Sequence, residues 1–141
     1  MESIKCVGRF GLVNDFLLQA DAEIENYKNH SNFIYRIYSK DKFDENVFFE
    51  ITLSITDSNI AIITMMNHQI PEFSQKGIPD FIIPWLYNKH KLRIHSSTNC
   101  TSNKFFEEEK QESLATKVWD RLIGKGIASF DNTTNRYFYD E

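Results

Sequence analysis

Ser74-Gln75-Lys76-Gly77-Ile78-Pro79 is the stretch of this chain best suited to holding a charged ligand. It stands between an apolar run, Ile60–Met66, and a segment from Ile78 to Asn88 whose Ile78, Phe81, Ile82, Trp85 and Leu86 fall on one helical face. A glycine turn that opens a helix aims unsatisfied backbone N–H groups at one point, where the helix dipole adds partial positive charge. Gln75, Lys76, Gly77 and Ile78 are therefore candidates for contact with a phosphate. The plainer reading is a surface loop that uses glycine for a turn.

Three side chains could move a proton beside it. His68 and His95 stand at the ends of two expected strands, and an imidazole with its ordinary pKa of about 6.5 accepts a proton near neutral pH. Glu50, on the polar face of a third strand, is a further base candidate. Each has a simpler role as a structural or solvated residue. His68, His90 and His95 have no familiar metal-ligand spacing. Cys6 and Cys100 lack ligand spacing too, and make no disulfide framework.

The elements that must position these residues follow from periodicity and turn chemistry. Lys5–Phe10 reads as a strand closed by Gly11. Asn14 can cap a helix from Asp15 to about Lys28, with Phe16, Leu17, Ala20, Ile24 and Tyr27 on one face. Asn32–Ser39, Val47–Thr56 and Ile60–Met66 read as three successive antiparallel strands, the last two joined through Asp57-Ser58-Asn59. Pro71 ends pairing, because proline has no N–H to donate. The helix from Ile78 carries Pro84, where a kink is expected. Leu92–Ser96 returns as a strand parallel to Ile60–Met66. A second amphipathic helix carries Leu114, Ala115, Val118, Trp119, Leu122 and Ile123 on one side and ends at Gly124 and Gly126. Ile127–Phe130 and Arg136–Tyr139 close the chain as a hairpin. The expected fold is α+β, a mixed and mostly antiparallel twisted sheet flanked by helices, in one domain over residues 1–141.

Composition narrows the function class. The 141 residues are 41% hydrophobic and 26% charged, as in a globular protein with its own core. Twelve Phe, six Tyr and two Trp imply a core rich in rings. A formal charge of -4 with no basic stripe argues against nucleic acid as a partner. No apolar stretch approaches the ~20 residues of a membrane span. The first residues lack the basic flank and apolar run of a secretion signal, so the expectation is a cytoplasmic protein with no membrane partner.

The order β, α, β, β, β, α, β, α, β, β resembles that of the GNAT N-acetyltransferase superfamily, over most of Asn32 to Tyr139. Ser74-Gln75-Lys76-Gly77-Ile78-Pro79 is similar to the family's acyl-CoA loop, Q/R-x-x-G-x-G/A. Ala115 to Leu122 with Gly126-Ile127-Ala128 is similar to its late alanine, aromatic, leucine and glycine pattern. The resemblance implies an acetyl-CoA cofactor with its pyrophosphate on Gln75, Lys76, Gly77 and Ile78. It also implies an acyl group between splayed strands, with amides near Met66 polarising the thioester. An acceptor amine would then need a base, for which His68, His95 and Glu50 are the candidates.

Three residues depart from the pattern. Ser74 replaces Gln or Arg, and Pro79 replaces Gly or Ala and removes an N–H. Trp119 stands where a tyrosine often returns a proton to the thiolate; an indole N–H donates a hydrogen bond but has no acid function. They motivate an alternative: a non-catalytic protein that keeps the fold as a binding or interaction module. Its exposed sheet face and the acidic residues Glu107, Glu108, Glu109 and Glu112 would serve a protein partner or a second copy of the chain. A solvated helix start is the plainer reading of those acids.

Overall fold

The computed structural model describes residues 1–66 and 71–141. Among these residues eight strands form one sheet: β1 (Glu2–Val7), β2 (Val13–Asn26), β3 (His30–Ser39), β4 (Phe49–Thr56), β5 (Ala61–Met66), β6 (Ile94–Ser96), β7 (Ser129–Asp131) and β8 (Arg136–Tyr139). Two α-helices accompany them, α1 (Ile78–His90) and α2 (Ser113–Gly124). The strand order is β1-β2-β3-β4-β5-β6-β8-β7. Every pairing is antiparallel except β5 with β6, where α1 provides the crossover that parallel neighbours require. The α+β class and the mixed, mostly antiparallel sheet expected above are what is observed. Among the described residues no helix is long and apolar enough to cross a membrane.

One expected element is of the wrong type. The segment read as a helix from Asp15 to Lys28 is strand up to Asn26, the greater part of the longest strand, β2. Phe16 and Leu18 are 5% and 1% exposed and sit opposite Ile4 and Glu2 of β1, a period-2 pattern. Ile24 and Tyr27, on the supposed helical face, are 49% and 53% exposed. The register between β2 and β3 shifts between Gln19 and Glu23, with Asp21 at φ 50. Such a bulge adds residues to one strand and breaks its alternation, so the combined spacing imitates a helix. Asn14 caps nothing; its amide donates to the carbonyls of Leu12 and Lys76. The first strand also stops earlier than expected, at Val7, and a 3-10 turn follows over Arg9–Gly11.

The core lies on one sheet face. Ile37, Ile51, Leu53, Ala61 and Ile94 are fully buried there against Ile78, Ile82, Ile83 and Leu86 of α1 and Val118, Trp119 and Leu122 of α2. α1 runs through Pro84 as one helix and ends at Lys91, a left-handed cap whose N–H donates to Tyr87. Residues 97–111 cross the opposite face. There Arg136 of β8, 2% exposed, donates to the carboxylate of Glu109, itself 1% exposed, and to the carbonyls of Ser96 and Asn103. Glu109 also accepts from the amides of Phe105 and Phe106. The acidic run is thus not uniformly solvated: Glu109 ties this crossing segment to the sheet.

Candidate functional site

Two adjoining clefts open near the C-terminal end of β5, and both follow from local features of the chain. The first is an extra residue in β5. Thr52 pairs with Met65 while its neighbour Leu53 pairs with Ile63, leaving Thr64 bulged. The second is an early end to β6: its pairing with β5 runs only from Ala61–Ile94 to Ile63–Ser96. Ser97 then turns away, its hydroxyl donating to the carbonyl of Ile63 at 2.8 Å. Beyond that point β5 continues to Met66 beside β4 alone. The neighbouring strands part, and a cleft of about 490 Å³ occupies the gap. Its walls include Thr64, Met65 and Met66 of β5, Glu50 of β4, and Ala115 and Trp119 of α2.

The second cleft, of about 640 Å³, lies where α1 begins. Gln75 at φ 57 and Gly77 at φ 80 bend the chain into the helix, with Gly77 as N-cap and Pro79 in the first turn. Among the described residues, no backbone carbonyl accepts from the amides of Lys76, Gly77, Ile78 or Asp80. This loop is pressed against the end of β1. A Cβ on Gly77 would stand 2.0 Å from the Val7 carbonyl oxygen, and one on Gly8 would stand 2.6 Å from that of Gln75. The Arg9 amide donates to the Gln75 carbonyl at 3.0 Å. Two glycines therefore allow a backbone contact that no larger residue permits.

The cleft is cationic. Lys117 and Arg121 of α2 and its C-cap Lys125 follow one another at helical spacing, joined by Arg9 from the β1–β2 turn, and all line it. The carboxylate that faces them, Asp80, is in the first turn of α1 and accepts from Arg121 and Lys125 at 2.5 Å each. Burial by itself would raise the Asp80 pKa, but the hydrogen bonds and positive charges of Arg121 and Lys125 together outweigh it and hold the carboxyl below its ordinary range. Leu114 lines both clefts, so α2 stands between them with Lys117 and Arg121 toward one and Ala115 and Trp119 toward the other.

The residues singled out from sequence fall in different places. Gln75 and Gly77 line the cationic cleft, and Met66 lines the strand-gap cleft. Ile78 is buried in the core. Lys76 contributes its backbone at the β1 contact, and its side chain is not among the lining groups. Glu50 faces the strand gap while one carboxylate oxygen accepts from Arg36 at 2.8 Å, and Arg36 also donates to Glu23. His95 lines neither cleft; it lies on the opposite sheet face between Ile62 and Phe138. Burial, then Arg136 and Arg93, lower its pKa to about 4, so it is neutral at physiological pH. His90 bonds the Tyr35 hydroxyl at 2.6 Å. His68 lies outside the described residues, and among those described no three His, Cys, Asp or Glu converge as a metal site.

Trp119 is 1% exposed and stacked on Tyr137 at 6.0 Å, with its edge at the strand gap. The Tyr137 hydroxyl is engaged with Asp120. Sequence reasoning missed Arg9, Asp80, Lys117, Arg121 and Lys125. The α2 cations had a signal in their i, i+4 and i+8 spacing from Lys117; Arg9 had none, because it reaches the site only through the β1 contact. No family model, curated protein or solved structure matches the chain.

Proposed function

We propose that this is a GNAT-like, acyl-CoA-binding protein that transfers an acetyl group to an amine. One observation carries it: β5 bulges and parts from β6 immediately beside a cationic cleft at the start of the crossover helix. A thioester with a phosphorylated tail needs this pairing of sites. The diphosphate lies beside Gln75 and Gly77 at the start of α1 and against the cations of α2, where charge and dipole both favour an anion. The pantetheine arm passes Leu114, and the acyl group enters the strand gap beside Thr64–Met66. Backbone N–H groups that lose a ladder partner at the parting are suited to polarise the thioester carbonyl.

In the transfer step the amine nitrogen bonds to the thioester carbon and the carbon–sulfur bond breaks. Glu50, through the carboxylate oxygen that Arg36 does not hold, accepts the proton lost by the amine. The leaving thiolate takes its proton from water, since Trp119 has none to give.

A second reading, a non-catalytic binding module of the same fold, is favoured by Pro79 and Trp119. It keeps the fold without the chemistry, and its exposed sheet face serves a protein partner or a second copy of the chain.

The test is thermal unfolding with CoA and acetyl-CoA at millimolar concentration. A ligand at a hundred times its Kd stabilises by about 2.7 kcal/mol, a rise of several degrees in Tm. No rise with either compound would remove the acyl-CoA reading and favour the interaction module. A rise without acetylation of polyamine, lysine or peptide amines would keep CoA binding and remove the transfer step.

A further inference from the structure

Phe10 is the most exposed large apolar side chain described, at 87%, and its position is built rather than incidental. Its backbone is left-handed, φ 64 and ψ 19, a conformation that an aromatic residue adopts only under constraint. The constraint is visible. The Gly8 amide donates to the Leu12 carbonyl, closing the turn, and the Arg9 amide donates to the Gln75 carbonyl, fixing the turn to the loop ahead of α1. The Arg9 guanidinium stands over the Phe10 ring, 5.1 Å from its centroid. One ring face is thus occupied by a cation and the other is open. Both residues line the cationic cleft.

Isolated exposed apolar residues are ordinary. An aromatic ring held by strained backbone at the rim of a cleft lined by Arg9, Lys117, Arg121 and Lys125 is a different case. Ligands that present a flat π-face a short distance from several negative charges are nucleotides. We propose that Phe10 is a stacking platform for the nucleobase of the ligand whose diphosphate faces these cations. This rests on the acyl-CoA reading and extends it to the nucleotide end of the molecule. Stacking reads the π-face and not the base edges, so the platform accepts different bases alike.

Titration calorimetry with ADP, GDP, inorganic pyrophosphate and CoA separates the terms. The wild-type chain is expected to bind ADP and GDP with similar affinity, and both more tightly than pyrophosphate. Phe10→Ala should weaken CoA, ADP and GDP about tenfold and leave pyrophosphate unchanged, while Phe10→Trp should keep wild-type affinity. Phe10 makes no core contact, so both variants should fold with an unchanged far-UV spectrum. Binding of CoA with no loss in Phe10→Ala would overturn the platform alone. A wild-type chain that binds none of the four ligands removes the acyl-CoA reading itself, and the platform with it.

Discussion

Replacing Asp80 with Asn should move stability and ligand affinity in opposite directions. The Asp80 side chain is 14% exposed and holds Arg121 and Lys125, which are 45% and 49% exposed. Both cations are well solvated, so screening reduces the worth of the two pairs to about 1 kcal/mol together. For a chain of this length the loss lowers Tm by about 3–5 °C. In the proposed site the same carboxylate is also the charge that an incoming diphosphate would face. At an effective dielectric between that of a protein surface and water, removing one negative charge several ångströms from a phosphate is worth about 1 kcal/mol. That corresponds to roughly fivefold tighter CoA, with more for pyrophosphate, whose charge is concentrated. The gain should shrink at 1 M salt, where the screening length falls to about 3 Å. Calorimetric titration of wild type and Asp80→Asn at low and high salt, beside thermal melts of the free proteins, reads both effects. A variant that is less stable and binds CoA more weakly would refute this account of the cleft, because the carboxylate would then be helping the ligand.

Three further outcomes follow from the same geometry. Gly77→Ala meets the Val7 carbonyl and a positive φ together, so it should cost at least about 2 kcal/mol in urea unfolding; Gly124→Ala, with open space around it, serves as the neutral control. Glu109→Ala leaves the Arg136 guanidinium buried without its partner and should cost about 3–5 kcal/mol, whereas Glu108→Ala should change little. The folded-state pKa of His95, about 4, lies below its unfolded value. Between pH 6.5 and 4 the unfolded chain therefore binds the proton that the folded chain refuses, and stability falls as pH falls through that window by about 2–3 kcal/mol in total. His95→Phe should flatten that part of the pH–stability curve, and a curve of unchanged slope would show the acid sensitivity to lie elsewhere.

Most strands were legible because their alternation is clean. Phe49, Ile51, Leu53 and Ile55 all fall on one face, with Ile51 and Leu53 fully buried. The β5–α1–β6 crossover was legible from an apolar run, a glycine turn and a helical stripe in succession. β2 was not, because a bulge at Gln19–Glu23 mixes two registers of a strand into something with helical spacing. Glu109 was hidden for another reason. In a run of three glutamates nothing local distinguishes the one that Arg136, 27 positions later, draws beneath the chain. Half of the candidate site was legible too: Gln75 and Gly77 from the turn they make, and Met66 through the family resemblance. Its cationic wall was not, because Lys117, Arg121 and Lys125 read as the ordinary solvated side of α2 until α1 is packed beside it.

Whether one ligand spans both clefts is read by titrating ¹⁵N-labelled protein with acetyl-CoA and following the amide chemical shifts. Shifts are expected at Gln75, Lys76, Gly77 and Ile78, at Arg121 and Lys125, and at Thr64, Met65 and Met66, all saturating with one Kd. Desulfo-CoA lacking the acyl group should move the first six and leave the β5 amides nearly still. Shifts confined to the face carrying His95 and Phe138, or none at all with ligand in excess, would contradict a ligand that spans both clefts.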